Sequence, residues 1–130
     1  MRWQRSIVWF RNDLRIHDHE ALAEAISSTK EVIPVYCLDP RMFGETPFGF
    51  AKTGAFRAKF LFESLQNLRE RLRSRHSDLI VRWGKPEEVI PQIAAEYGAE
   101  GVFAHKEVTD EEVRVEEALE SQLFREGITL

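Results

Sequence analysis

Four short apolar runs recur along this chain, at Ser6–Phe10, Val32–Leu38, Leu79–Trp83 and Gly101–Ala104, and amphipathic stretches separate them. The runs are nearly continuous and rich in Val, Ile and aromatic residues. That is the pattern of strands covered on both faces. A fifth run begins at Ile128. Between the runs the apolar residues fall at helical spacing. Asp18 can cap a helix over His19–Ser28. The segment Gly54–Arg75 carries Phe56, Phe60, Leu61, Leu65, Leu68 and Leu72 on one stripe. Pro86 stands in a first helical turn, followed by Val89, Ile90, Ile93, Ala94 and Tyr97, and Gly98 ends that helix. Thr109 or Asp110 can cap a last helix with the stripe Val115, Ala118, Leu119 and Leu123, closed by Gly127. Strict alternation of this kind predicts an α/β fold of three layers: an open parallel sheet of five strands between two layers of helices, with right-handed crossovers.

The length of 130 residues fits one domain, 1–130. With 43% hydrophobic and 31% charged residues the chain is globular. Its net charge of −4 argues against a domain that grips nucleic acid alone, since phosphate neutralisation needs clustered Lys and Arg. The single cysteine, Cys37, excludes an internal disulfide and a multi-cysteine metal site, and it fits a reducing compartment inside the cell. No apolar run approaches a membrane span. Met1–Arg5 leads straight into the first run, which predicts no signal peptide. The location expected is the cytoplasm, or a plastid or mitochondrion if a transit peptide has been removed. The chain stops at Gly127-Ile128-Thr129-Leu130, inside a predicted strand. More chain is expected to follow.

Ligands of open parallel sheets bind beyond the carboxyl ends of the strands. The tips here read Arg11-Asn12-Asp13, Leu38-Asp39-Pro40, Gly84-Lys85 and His105-Lys106-Glu107. Arg11, Asp13 and Arg15 read either as an ion-paired turn or as an Arg held beside a bound anion or planar ring. No Gly-x-Gly-x-x-Gly follows the first run and no Gly-Lys-Ser/Thr loop occurs, so the usual dinucleotide and phosphate sites are unsupported. The third tip, Val81-Arg82-Trp83, lacks the acidic acceptor of a receiver domain. His17, His19, His76 and His105 are scattered, and exposed or capping roles are favoured over metal binding. Cys37 lies inside an apolar run, as a buried inert thiol does. No metal site and no catalytic constellation emerge. The long stretch Asp39–Thr53 carries Phe43, Phe48 and Phe50, with Phe56 and Lys52 nearby. These rings either cover core, pack on a second domain absent from this chain, or form one wall of a slot for a flat heterocycle. The run Lys106-Glu107-Val108-Thr109-Asp110-Glu111-Glu112 brings carboxylates to the fourth tip. They either favour a helix amino terminus or accept hydrogen bonds from an amino-pyrimidine edge.

The stretch Trp9-Phe10-Arg11-Asn12-Asp13-Leu14-Arg15 resembles the opening of the DNA photolyase/cryptochrome family. So do Pro34-Val35-Tyr36-Cys37-Leu38-Asp39-Pro40-Arg41, Lys52-Thr53-Gly54-Ala55-Phe56-Arg57, Gly84-Lys85-Pro86-Glu87-Glu88 and Phe103-Ala104-His105-Lys106-Glu107. Together they are most similar to DASH-type cryptochromes and plant photolyase-like proteins. The resemblance implies the Rossmann-like amino-terminal domain of that family, with strand order 3-2-1-4-5 and the last strand truncated. It implies an antenna chromophore, methenyltetrahydrofolate or a deazaflavin, that passes blue-light excitation to FAD. The FAD lies in a helical domain absent from this chain, and the parent is implied to be a deoxyribodipyrimidine photolyase for DNA repair or a photoreceptor. On the family pattern the pterin-contacting acid falls on Asp110 or Glu111. Cys37, Leu38 and Asp39 correspond to the deazaflavin pocket wall, and Arg11 follows a strand whose tip contacts the antenna in some members. Phe50, Lys106 and Glu107 complete the expected lining. The chain departs from one branch in carrying Thr109 before the acid, where that branch has Asn. The expected partner is the FAD-binding helical domain, in a monomer with weak or no DNA binding by this domain and no membrane. The alternative is a chromophore-free docking module fused to another domain.

Overall fold

A computed structural model describes residues 3–11, 14, 19–40, 55–75, 77–105 and 110–125. The elements alternate as β1 (Trp3–Phe10), α1 (Glu20–Ser28), β2 (Thr29–Leu38), α2 (Ala55–Arg73), β3 (Ile80–Trp83), α3 (Pro86–Tyr97), β4 (Gly101–Phe103) and α4 (Asp110–Arg125). All described pairings are parallel, and the sheet order is β3-β2-β1-β4. The expected α/β sheet is therefore present, with its first four strands in the order expected. The fifth strand, at Ile128, lies outside the described residues, as does Gly127.

The two faces of the sheet explain why the strands read as continuous apolar runs. Ile7, Trp9, Val35 and Cys37 point to one side, where Val89, Ile90 and Ile93 of α3 and Val115, Leu119 and Leu123 of α4 cover them. Val8, Phe10 and Tyr36 point to the other, under Leu22 and Ala25 of α1 and Leu65, Leu68 and Leu72 of α2. Period-two alternation puts neighbouring residues on opposite faces, and both faces are buried. β1 lies between β2 and β4 and supplies four core side chains in a row, Ile7 to Phe10.

Strands β1 and β2 begin earlier than their apolar runs. Their polar first halves still pair, at Trp3↔Thr29 and Arg5↔Glu31. The Arg5 guanidinium meets the Glu31 carboxylate at 2.9 Å and also donates to the Tyr97 carbonyl at the end of α3. Beneath them Thr29 donates its hydroxyl proton to the Ala25 carbonyl at 2.7 Å. The Ser6 hydroxyl, 2.8 Å away, is therefore the donor to Thr29. That chain satisfies two buried hydroxyls and joins the end of α1 to the sheet.

The helices correct several expectations. The cap of α1 is His19, not Asp18: its ring nitrogen accepts from the Leu22 amide. On α2 the inward row is Leu61, Leu65, Leu68 and Leu72, so Phe60, one position off that row, stands 72% exposed. On α4 the i, i+4 row Val115, Leu119, Leu123 faces the core, and Ala118 is exposed beside it. Tyr97, in the last turn of α3, is likewise exposed. Pro86 opens α3 and Gly98 ends it in the left-handed conformation, φ 69°, as expected. The tip of β3 turns at Gly84 with φ 148°, and a Cβ there would stand 2.5 Å from Val89 Cγ2. Only glycine fits this turn. Its amide donates to the Leu38 carbonyl, tying the tips of β3 and β2 together.

Candidate functional site

From β1 the chain steps outward through β2 to β3, then crosses back to place β4 on the far side of β1. The helices change face at that crossing: α1 and α2 lie on one side, α3 and α4 on the other. The carboxyl ends of β1 and β4 therefore bound the switch point, where open parallel sheets hold ligands.

Arg11 follows β1 directly at this point. Its nearly buried guanidinium pairs with the Glu116 carboxylate of α4. It also donates to the His105 carbonyl at 3.4 Å and to the Glu112 carbonyl at 3.2 Å, and it lies 4.4 Å above the Trp9 ring. Multiple acceptors and an aromatic face compensate a buried guanidinium for lost water. Arg11 is thus ion-paired, with α4 as the partner element; Asp13 and Arg15 lie outside the described residues.

Across the switch point, the imidazoles of His19 and His105 stack with centroids 4.4 Å apart and planes 19° from parallel. Phe10 packs on His19 at 4.9 Å. The His105 ring nitrogen accepts from the Ala21 amide at 3.3 Å, so the tip of β4 helps cap α1. These two histidines are not scattered. The sequence offered no local signal for their meeting, because they stand 86 positions apart (105 − 19). His17 and His76 lie outside the described residues.

At the tip of β2, Leu38 and Asp39 are half-buried, whereas Cys37 is 4% exposed within the core under α3. Cys37 therefore backs the tip from inside the core. Burial pushes its thiol up to about 12, and the negative charges of Asp39 and Glu87 add to the shift. Burial, then Cys37 and Asp39, push the Tyr36 phenol on the opposite face up to about 12 as well. Neither ionises near neutrality, as the inert-thiol reading expects. Asp110 and Glu111 are the first two residues of α4. Phe43, Phe48, Phe50, Lys52, Lys106 and Glu107 lie outside the described residues, as does the side chain of Phe56. Among the described residues, then, the fold brings Arg11, Leu38, Asp39 and the start of α4 to one end of the sheet.

A cavity of about 830 Å³ lies elsewhere, along α1, the first half of β2 and the end of α2, lined by Leu22, Ile26, Val32, Pro34, Leu72 and Arg75 among others. None of the expected site residues lines it. The strand tips carry the functional argument because the crossover geometry selects them, whereas this groove is a gap between two helices. Among the described residues no three His, Cys, Asp or Glu side chains group as metal ligands, and no helix is long and apolar enough to cross a membrane.

The family model for DNA photolyase matches residues 6–130. The chain belongs to the DNA photolyase family. It is 50% identical over 123 residues to the blue-light photoreceptor PHR2 of Arabidopsis thaliana, covering 95% of this chain and 28% of that protein. It is 54% identical over 117 residues to a cryptochrome DASH of Gloeobacter violaceus, covering 90% and 23%. Among solved structures, the cryptochrome of Synechocystis sp. PCC6803 superposes with a TM-score of 0.94 at 50% identity, over 98% of this chain and 26% of that one. The archaeal photolyase of Sulfolobus tokodaii, described with two FAD molecules and the implication of a novel light-harvesting cofactor, superposes with a TM-score of 0.86 at 28% identity, over 97% and 28%. The chain spans about a quarter of the length of these relatives, and the similarity to DASH cryptochromes read from the sequence holds.

Proposed function

We propose that this photolyase-family domain holds an antenna chromophore, a reduced folate such as methenyltetrahydrofolate or a deazaflavin, at the switch point. In this reading it passes absorbed blue-light energy to FAD in a helical domain of a longer chain. The observation that carries the reading is the convergence of Arg11, Leu38, Asp39 and the first turn of α4 at the one end of the sheet where the strand order reverses. The Sulfolobus relative, with its second FAD and implied light-harvesting cofactor, supports it by analogy.

The donor set suits such a group. A pterin or deazaflavin has a broad apolar face and one polar edge, so its site needs an apolar wall and few polar groups. Leu38 offers apolar surface, and Asp39, Asp110 and Glu111 offer carboxylates for ring N–H donors. Phe50, Lys106 and Glu107 complete the proposed lining, and Cys37 supports it from the core. Energy transfer needs no acid, base or nucleophile from this domain. It needs a chromophore fixed in distance and orientation, and the Arg11–Glu116 pair stiffens the frame around it. In this account the FAD-bearing domain is the partner, and DNA is bound weakly or not at all by this domain.

The test is the excitation spectrum of flavin emission in the full-length protein that carries this domain, purified with and without added reduced folate. A new near-ultraviolet excitation band that feeds flavin emission is expected. Flavin emission with no such band, for folate and deazaflavin alike, favours a chromophore-free docking module.

A further inference from the structure

The amino terminus of α1 is capped twice, each time by an imidazole. The first three amides of the helix belong to Glu20, Ala21 and Leu22, and amides at this end have no partner within the helix. Leu22 donates to Nδ1 of His19 at 3.0 Å, and Ala21 donates to Nε2 of His105 at 3.3 Å. A ring nitrogen that accepts a hydrogen bond carries no proton. His19 is therefore the Nε2–H tautomer and His105 the Nδ1–H tautomer, as assigned from these contacts. The rings also stack at 4.4 Å, with His19 only 3% exposed and wedged against Phe10.

Both caps require an unprotonated ring nitrogen. Protonation of Nδ1 in His19 or Nε2 in His105 turns the acceptor into a donor facing an amide N–H. It also puts positive charge at the positive end of the helix dipole. Two cations in one stack would repel. Among the described residues, the charged groups near the stack are Arg11 at the end of β1, which donates to the His105 carbonyl, Glu20 in the first turn of α1, and Glu112 and Glu116 on α4, which meet Arg11. Glu116 is engaged by Arg11, and Glu20 is exposed.

We propose that His19 and His105 form a pH-sensitive clasp, which holds the start of α1 to the carboxyl end of β4 only while both rings are neutral. Protonation of either ring opens it. The start of α1 then frays from the β4 tip while the core beneath stays intact. The clasp rests on ring contacts and helix capping, and it does not depend on a bound chromophore.

The experiment is amide hydrogen exchange on the 130-residue chain between pH 7.5 and 5.5, corrected for intrinsic rates. Protection at Ala21 and Leu22 should fall about five-fold for each cap lost, the factor that a side-chain N-cap typically represents, while protection at Ile7 and Val8 holds. In the His19→Asn, His105→Gln double variant, which keeps side-chain acceptors but cannot titrate, the fall should disappear. A flat wild-type profile overturns the clasp, and so does the same fall in the double variant. Should that variant not fold, imidazole ¹⁵N shifts of the wild type decide at pH 7.5. The expected result is an Nε2–H tautomer for His19 and an Nδ1–H tautomer for His105. The opposite tautomers, or a cationic ring, overturn it.

Discussion

Arg11 and Glu116 meet as an ion pair with side chains only 7% and 15% exposed, and the pair joins the carboxyl end of β1 to the second turn of α4. Glu116→Gln should leave the Arg11 charge short of compensation, with a loss of about 3–5 kcal/mol, the range for breaking a buried pair from one side. Arg11→Met with Glu116→Leu, which removes both charges, should lose much less. Urea denaturation of the wild type and the two variants checks this. Equal losses in the single and double variants would mean that the pair acts through packing alone.

The second prediction concerns the centre of the sheet. Trp9 lies on β1, buried between α3, α4 and the sheet, with the Arg11 guanidinium over its ring. Trp9→Ala should cost about 3–5 kcal/mol, as removal of a large buried aromatic does. A denaturation midpoint close to that of the wild type would remove β1 from the core.

A third test addresses the tip of β3. Gly84→Ala puts a Cβ 2.5 Å from Val89 Cγ2 on a backbone with φ 148°. It should destabilise by more than about 1 kcal/mol, since an L residue is incompatible with that conformation. It should also disturb the Gly84–Leu38 hydrogen bond, seen as faster amide exchange at Gly84. Unchanged stability and exchange would contradict the turn.

Alkaline pH supplies a fourth. The Cys37 thiol and the Tyr36 phenol are both held at about 12 when folded, above ordinary values of 9.0 and 10.0. Between those ordinary values and 12 the unfolded chain has lost protons that the folded chain keeps. Their contribution is therefore intact below pH 9 and lost as pH rises towards 12. Stability should fall there at up to about 1.4 kcal/mol per pH unit for each group. Cys37 should stay unreactive to thiol reagents at pH 8 until the chain unfolds. Rapid native-state labelling would contradict its burial.

Local patterns carried most of the fold in the sequence. Ile7 to Phe10 read as a strand because both faces of β1 are covered, and Pro86 and Gly98 marked the bounds of α3 by backbone chemistry alone. The strand order came from family resemblance, since alternation by itself does not rank the strands. Errors arose where tertiary contact decides. Phe60 fitted a wide apolar stripe, yet the inward row of α2 passes through Leu61. At α1, Asp18 was the better cap by propensity, but the His105 ring, which exists beside it only in the folded chain, favours His19 in that role. The sequence left Arg11 open between an ion-paired turn and a place beside a ligand, and its partner Glu116 was not legible because 105 residues separate them. At the site, Leu38 and Asp39 were legible as a strand tip. Cys37 was legible as inert from its place in an apolar run.

The antenna site is tested by titrating the full-length protein that carries this domain with reduced folate, followed by its near-ultraviolet band. Wild type is compared with Asp110→Ala and Glu111→Ala. A carboxylate paired to the amino edge of a pterin and shielded from water contributes about 1.5–3 kcal/mol, so removing it should weaken binding about 10- to 100-fold. Saturable binding is expected in the wild type, with that loss in one of the two variants. Saturable binding untouched by both substitutions would contradict the carboxylate assignment, and no binding of folate or deazaflavin by the wild type would contradict the antenna itself.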